Sequence, residues 1–354
     1  MEQFEKKLDD GHIFRMTDDT GMFQHARFSL PNLTEGYTTD DNARALIMAV
    51  MLYEQNKIND YLALVYRYLA FLLHAQNESG GFRNFMTYGR QFTEKEGSED
   101  CFGRCLWALS YTYASSIMPL GVKEACTAAI VKALPNIQNL FEVRGQAYAM
   151  IGLGYIQGPQ ADILLKELAD SLISRFENDA GDEDWQWFEN NLTYDNAVLP
   201  WALFVAYDRL GQDHLLRVAK ESLQFFDKVT FRDGFFRAVG CKGWLLRGSE
   251  PAQYDEQPLE ASTATLAHLA AYEVTGDPAM LELAQKSFAW YLGNNSLNQC
   301  LIDEESGGCR DGITAKGFNL NQGAESIVGY CIANLALAKY ETNVPGLGRK
   351  VIRS

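Results

Sequence analysis

A polar segment that usually carries an acid leads into a stretch of small and apolar residues six times along the chain. The six copies begin near positions 36, 97, 143, 192, 258 and 321. In each copy the apolar residues would cover nearly all sides of a helix, and such a helix must be buried on every face. Repetition on this scale is typical of folds that stack or close one supersecondary unit.

A second set of segments shows an apolar stripe on one side only. In residues 160–176 the leucines recur at helical spacing, whereas the charged residues fall on the opposite side. Buried helices that alternate with half-exposed ones predict an all-α (α/α)₆ toroid, in which six helical hairpins form an inner and an outer ring. We interpret residues 1–354 as one toroid domain, with residues 1–35 as an N-terminal segment that packs on or near its mouth.

Charge and composition exclude several classes of partner. The chain has 46 acidic and 31 basic residues, a net charge of −15, and nucleic acids and anionic membranes both attract basic surfaces. The sequence shows no signal peptide and no apolar stretch that spans a bilayer, which predicts a cytoplasmic protein. The seven cysteines are scattered and form no C-x-x-C pair, so we expect no metal site. The sequence has no nucleotide-binding motif, so we expect no cofactor.

Acidic residues stand at the starts of five of the six predicted inner helices. Because these helices converge, we expect the acids to surround one funnel. Capping of free backbone amides explains a single acid at a helix start well, but it explains adjacent pairs poorly, since one cap is enough. The acids are Asp40, Asp41, Glu99, Asp100, Asp195, Glu260 and Glu325.

Crowded carboxylates in a partly dry funnel favour acid/base chemistry, because one can hold a proton while another stays ionised. Glycoside cleavage requires such a pair, and aromatic rings that stack on sugar faces complete the site. The predicted catalytic residues are Asp41, Asp195, Glu260 and Glu325. The predicted substrate-binding residues are Asp40, Arg44, Asp100, Arg104, Trp187, Glu189, Tyr194, Trp244, Gln257 and Asn321.

Four strings, at residues 36–44, 187–197, 257–261 and 321–326, resemble those of a bacterial glycoside-hydrolase-like (α/α)₆ family. The resemblance extends from about residue 20 to residue 340. Members of that family occur beside, or fused to, glycosyltransferases and mannoside-processing enzymes. The resemblance therefore implies a carbohydrate substrate, with a mannoside as a candidate, and an association with carbohydrate-active enzymes.

The leading hypothesis is a glycosidase that acts on a short oligosaccharide, with Asp41 and Asp195 on either side of the scissile bond. A sugar epimerase on the same toroid is an alternative. It would need a histidine base near the funnel, and only His25 and His268 qualify. The non-enzymatic alternative is a glycan-binding partner of a glycosyltransferase.

Overall fold

The computed structural model describes residues 9–179 and 184–341. The remaining positions of the predicted domain, 1–8, 180–183 and 342–354, lie outside the described residues. The helices are α1 (Gly11–Arg15), α2 (Thr39–Asn56), α3 (Asn59–Ala75), α4 (Glu99–Ala114), α5 (Leu120–Ala133), α6 (Val143–Gly154), α7 (Pro159–Asp179), α8 (Val198–Leu210), α9 (Asp213–Thr230), α10 (Pro258–Thr275), α11 (Pro278–Ala289) and α12 (Ala324–Glu341). A 3₁₀ helix, Leu134–Asn139, follows α5.

The even-numbered helices α2 to α12 form a closed inner ring, in which each packs on the next and α12 packs on α2. The odd-numbered helices α3 to α11 form the outer layer, and each packs on the inner helix that precedes it. The short helix α1 lies beside α3, where the rings of Phe14 and Tyr61 stack with centroids 6.4 Å apart. The predicted all-α (α/α)₆ toroid is confirmed. No helix in the described part of the chain has both the length and the hydropathy needed to cross a membrane.

The inner ring is tight because small residues let neighbouring helices approach. A Cβ atom on Gly103 of α4 would lie 2.6 Å from the backbone oxygen of Gly145 and 2.7 Å from the Cβ atom of Tyr148, both in α6. Only glycine allows this approach without displacement of α6. The contact brings Arg104, the next residue of α4, beside Tyr148.

Among residues 9–179 and 184–341, four short antiparallel strand pairs lie in the loops that lead into inner helices. They are β1 (Ala26–Arg27) with β2 (Leu30–Pro31), β3 (Tyr37–Thr38) with β4 (Phe85–Met86), β5 (Asn191–Leu192) with β6 (Leu245–Leu246), and β7 (Ile313–Thr314) with β8 (Gly317–Phe318). Strand β3 leads directly into α2, and β5 comes shortly before α8. The pairs β3 with β4 and β5 with β6 each join two different loops at the mouth of the ring, whereas β1 with β2 and β7 with β8 are hairpins within one loop.

The N-terminal segment contacts the loop that leads into α12. The Phe28 N–H donates to Asn321 Oδ1 at 2.9 Å, and the Ala324 N–H donates to the backbone oxygen of Gln24 at 3.0 Å. The described part of this segment, residues 9–35, therefore packs beside the start of α12. The assignment of the whole chain to one domain stays a prediction.

Candidate functional site

The first turns of α2 and α4 are capped by hydroxyl side chains rather than by their acids. Thr38 Oγ1 accepts from the Asp41 N–H, and Ser98 Oγ accepts from the Cys101 N–H, each at 3.2 Å. Ser and Thr are preferred at this position because their oxygens satisfy free backbone amides. The adjacent acids are therefore not needed as caps of their own helices.

The acid pair of α4 divides into a structural and a cavity-facing member. Glu99 accepts hydrogen bonds from the Phe141 and Glu142 N–H groups at 2.7 and 2.6 Å, so it satisfies amides at the start of α6. Asp100 faces a cavity instead. The expectation that Glu99 borders the funnel is wrong, because the loop before α6 takes its carboxylate.

We expect Glu99→Ala to lower the free energy of unfolding by about 1–2 kcal/mol, as the loss of a helix cap does, with sugar turnover unchanged. Urea unfolding and steady-state kinetics measure the two effects. A loss of turnover without a loss of stability would return Glu99 to the functional site.

A cavity of about 530 Å³ opens at the mouth, where the starts of α2, α4, α10 and α12 meet. Its wall contains three carboxylates from three inner helices and one guanidinium group. Aromatic rings from two loops complete the wall. The lining residues are Asp40, Ser98, Asp100, Arg104, Tyr194, Cys241, Trp244, Gln257, Leu259 and Glu325.

Arg104 joins the cavity wall to the interior of the ring. Its Nη1 donates to Asp40 Oδ2 at 2.6 Å, and its Nη2 donates to Asp195 Oδ2 at 2.8 Å. The guanidinium carbon lies 4.7 Å from the centroid of the Tyr148 ring, and the Tyr148 hydroxyl donates to the same Asp195 oxygen. Arg104 is only 4% exposed, so its orientation is fixed by these contacts.

Arg44 makes a second link, between α2 and α12. Its Nη2 donates to Asp41 Oδ1 at 2.9 Å and to Glu325 Oε2 at 3.1 Å. The Thr38 hydroxyl donates to the other oxygen of Asp41 at 2.5 Å. Asp41 is therefore held away from the cavity surface, whereas Glu325 borders it.

Arg144 of α6 holds the aromatic part of the wall. Its Nε donates to the backbone oxygen of Tyr194 at 2.6 Å, and its guanidinium carbon lies 4.7 Å from the Tyr194 ring centroid. Its Nη1 donates to Glu189 Oε2 at 2.9 Å. The Tyr194 hydroxyl donates to Asp100 Oδ2 at 2.5 Å, so α6, α4 and the loop before α8 meet at this ring.

The sequence predicts that Asp195 stands at the start of α8. In the structure it lies three residues before that helix. Its backbone has a positive φ of 52°, and its side chain is 0% exposed. The Asp195 N–H donates to the carboxylate of Glu260, which is 2% exposed. The prediction that these two acids touch substrate is corrected, because both are buried behind the cavity wall.

The carboxylates differ in their affinity for protons. Burial acts to raise the pKa of Asp40, but the Arg104 and Arg44 guanidinium groups outweigh it and hold that pKa below its usual range. Burial raises the pKa of Asp100, and it raises the pKa of Asp41 to about 6. Burial and the nearby Asp195 charge raise the pKa of Glu260 to about 7.

Half of the predicted site residues border the cavity. These are Asp40, Asp100, Arg104, Tyr194, Trp244, Gln257 and Glu325. The others, all within the described chain, stand outside its lining: Asp41, Arg44, Trp187, Glu189, Asp195, Glu260 and Asn321. Arg44 and Asp195 each form an ion pair with a lining residue, Glu325 and Arg104 respectively. Asp41 pairs with Arg44, Glu189 pairs with Arg144, and Asn321 binds the N-terminal segment.

The placement of Trp187 at the mouth is wrong. Its side chain is 0% exposed and packs against the rings of Phe188, Phe225 and Phe226. These contacts bury the indole between the loop and α9, so it belongs to the hydrophobic core. No sugar can reach it in this arrangement.

The histidines considered for the epimerase alternative lie outside the cavity lining, as do the other described histidines. The ring nitrogens of His268 lie 2.7 Å from the backbone oxygen of Ala264 and 2.9 Å from Asp227 Oδ1 of the outer helix α9. His25 is exposed on the N-terminal segment. His268 therefore faces the outer layer of the ring.

Sequence reasoning missed Arg144 and Tyr148 of α6, the inner helix for which the sequence predicts no acid at the start. The two residues are four positions apart, the same spacing as Asp40 and Arg44. That spacing puts both on one face of a helix, and it was the signal available for them. Ser98, Cys241 and Leu259 of the lining carried no distinguishing pattern.

No family model and no curated protein sequence matches the chain. Solved structures do match its fold. A sugar epimerase from a ruminal bacterium is 15% identical, with a TM-score of 0.74 over 95% of this chain and 97% of that one. Cellobiose 2-epimerase from Spirochaeta thermophila is 12% identical, with a TM-score of 0.73 and 95% of each chain covered.

A third similar structure is an inactive variant of an α-1,6-mannanase from a Salegentibacter species, in complex with α-1,6-mannotetrose. It is 11% identical, with a TM-score of 0.64 over 93% of this chain and 96% of that one. Two adjacent aspartates are replaced by alanine in that variant. At these identities the similarity demonstrates the shared (α/α)₆ toroid and leaves the chemistry to the site residues.

Proposed function

We propose that this chain is a glycoside hydrolase that acts on a short oligosaccharide, with an α-mannoside as the first candidate. The observation that carries the proposal is a single cavity in which carboxylates from different inner helices have opposite shifts in pKa. Glycoside cleavage needs one carboxyl that is protonated and one that is ionised. Asp100 and Asp40 meet these two requirements.

Asp40 is assigned the ionised role. Arg104 binds its Oδ2 atom, whereas its Oδ1 atom has no hydrogen-bond partner among the described residues. The Oδ1 atom is itself buried, but the side chain as a whole is 20% exposed in the cavity wall, and this carboxylate is assigned to activate a water molecule or to attack the sugar carbon. Asp100 is assigned as the proton donor to the leaving oxygen, and Tyr194 holds its carboxyl in place.

The other lining residues suit a neutral sugar. The rings of Tyr194 and Trp244 offer apolar surfaces for stacking on a pyranose, and Gln257 can bind hydroxyl groups. Three carboxylates against one guanidinium group make the wall negative, which disfavours anionic sugars. A volume of about 530 Å³ is in the range of pockets that enclose small ligands.

The similar mannanase lends support from its inactive variant, in which two adjacent aspartates are replaced. Asp40 and Asp41 are the adjacent aspartates of this chain that stand at the mouth. Asp41 is an alternative proton donor, because its pKa is raised to about 6. Its bonds to Thr38 and Arg44 make it the weaker candidate, since they turn it from the cavity.

The test is to incubate the purified protein with α-1,6-mannotetrose and with manno-, gluco- and galacto-oligosaccharides, and to read products by chromatography. We expect release of a shorter sugar, absent from a variant with both Asp40 and Asp41 changed to Asn. Asp170→Asn, on the exposed face of α7, is the matched control. If calorimetry shows that a sugar binds but chromatography shows no cleavage of it, the chain is better described as a glycan-binding partner of another enzyme than as a hydrolase.

The pH profile should identify the proton donor. We expect kcat/KM to fall as pH rises through the raised pKa of Asp100, because the donor must keep its proton. At low pH activity should persist below the usual range of an aspartate, since Asp40 stays ionised there. Asp100→Asn should remove the alkaline limb, whereas a limb near pH 6 that only Asp41→Asn removes would assign the donor role to Asp41.

Sugar epimerisation is the second candidate, because the epimerases have the higher TM-scores of the similar structures. It would require a base other than histidine at this cavity, given the outward orientation of His268. Incubation of mannose and cellobiose in deuterated water separates the two reactions. Deuterium at carbon 2 without glycosidic cleavage would favour the epimerase.

A further inference from the structure

A short turn, residues 193–196, connects β5 to α8 at the edge of the cavity. Within it the Thr193 N–H donates to Asn196 Oδ1 at 3.0 Å, and Asn196 Nδ2 donates to the backbone oxygen of Thr193 at 2.8 Å. Asp195 has a left-handed backbone conformation, which is uncommon for residues other than glycine but is tolerated better by aspartate than by most. The bonds within the turn and those from neighbouring helices together hold this shape.

Buried charged groups hold the 193–196 turn from two inner helices. From α6, Arg144 donates to the backbone oxygen of Tyr194 at 2.6 Å and to Thr193 Oγ1 at 2.9 Å. From α10, the carboxylate of Glu260 accepts the Asp195 N–H and the Asn196 side-chain amide, the latter at 3.1 Å. Arg144 thus binds the first half of the turn, and Glu260 binds the second half.

The turn sends consecutive side chains to different parts of the site. The Tyr194 ring stands in the cavity wall, with its hydroxyl on Asp100. The Asp195 carboxylate is directed inward and binds Arg104, which in turn holds Asp40. The sugar-stacking surface and the ionised carboxylate are therefore set by neighbouring residues of one turn.

We propose that Arg144 and Glu260 are positioning residues that act through the 193–196 turn, with Arg144 controlling sugar binding and Glu260 controlling catalysis. This inference rests on the proposed hydrolase function. Arg144 acts on Tyr194, whose ring is assigned to stack on the sugar in ground state and transition state alike and whose hydroxyl binds Asp100. Glu260 acts on Asp195, Arg104 and Asp40, whose charge matters during bond cleavage.

Burial supports a specific role for Glu260. It is 2% exposed, and within the described part of the chain its hydrogen bonds come from backbone and side-chain amides of the turn, not from a cation. A buried carboxylate of this kind is expensive to keep for stability alone. Its raised pKa, about 7, records the same unfavourable environment.

The test compares Arg144→Lys and Glu260→Gln in the full chain with α-1,6-mannotetrose as the probe. We expect Arg144→Lys to raise KM about tenfold, because uniform binding is lost, and to lower kcat less than Glu260→Gln does, because the Tyr194 hydroxyl also holds Asp100. Glu260→Gln should lower kcat about tenfold or more with KM nearly unchanged. Arg209→Lys and Glu256→Gln are matched controls, since the first side chain binds Asp162 and the second binds Trp290 and Ser296.

A second measurement does not depend on turnover. Hydrogen exchange of residues 193–196 should become faster in Glu260→Gln than in the wild type and in Glu256→Gln. If Glu260→Gln fails to fold, Glu260→Asp, which keeps the charge but shortens the reach, should show the same changes to a smaller degree.

The outcomes separate the two proposals. If the wild-type protein cleaves no sugar but hydrogen exchange is faster in Glu260→Gln, the proposed hydrolase function is overturned. The role of Glu260 in holding the 193–196 turn is then still supported. Active wild-type protein with variants that match their controls in KM, kcat and exchange would overturn the positioning roles alone. If both variants raised KM and lowered kcat to the same extent, the positioning roles would also be overturned, because Arg144 and Glu260 would not act separately.

Discussion

Asp40→Asn is expected to lower kcat about a thousandfold while the fold stays intact. The amide keeps the shape of the side chain but removes the charge that Arg104 holds in the cavity wall. Because the ionised carboxylate acts mainly in the transition state, KM should change little. Steady-state kinetics on the sugar found by the screen provide the measurement.

The control for this effect is Asp170→Asn, a loss of one exposed carboxylate on an outer helix, which should leave kcat unchanged. Circular dichroism and thermal unfolding should show that Asp40→Asn remains folded, since Arg104 keeps its bond to Asp195. Full activity in Asp40→Asn would remove this residue from the mechanism. The cavity would then need another ionised carboxylate, of which Glu325 is the remaining choice in the wall.

The ring of helices was predictable because it follows from periodicity alone. Segments apolar on all sides had to be inner helices, and α2 is buried along most of its length, from Thr39 to Leu52. The mouth was predictable for a related reason. Acids in the first turn of converging helices must meet, and Asp40, Asp100 and Glu325 do so in one cavity.

The depth of each side chain was not predictable, because it depends on contacts between segments distant in sequence. Asp195 follows the same pattern of residue types as Asp41, but Glu260 and Arg144 hold its turn in a left-handed conformation. The side chain is thereby directed into the ring instead of the cavity. No local pattern around position 195 records those two partners.

The prediction that Trp187 binds substrate failed for a different reason. Its polar neighbours in sequence suggested an exposed binding loop, yet a loop has no fixed period that assigns side chains to faces. The direction of the indole is set by the rings of Phe225 and Phe226 on α9, which lie almost forty residues further along the chain. Aromatic residues beside acids are thus weaker indicators of a sugar site than acids at helix starts.

Asp195→Ala is expected to lower the free energy of unfolding by about 3–5 kcal/mol, the usual effect of removing one partner from a buried ion pair. The substitution takes from Arg104 its fully buried counter-ion and from the Tyr148 hydroxyl its acceptor. Arg104 keeps Asp40, but that carboxylate stands in the cavity wall and is 20% exposed. Urea unfolding of the wild type and the variant measures the difference.

Asp195→Asn is the comparison that separates charge from packing. It retains the size of the side chain and an oxygen that can accept from Tyr148, so its loss of stability should be clearly smaller than that of Asp195→Ala. Both variants should lower kcat, because Arg104 no longer has the partner that fixes its position beside Asp40. A loss below about 1 kcal/mol in Asp195→Ala would mean that water enters and solvates Arg104, which contradicts a dry ion-pair network at the centre of the ring.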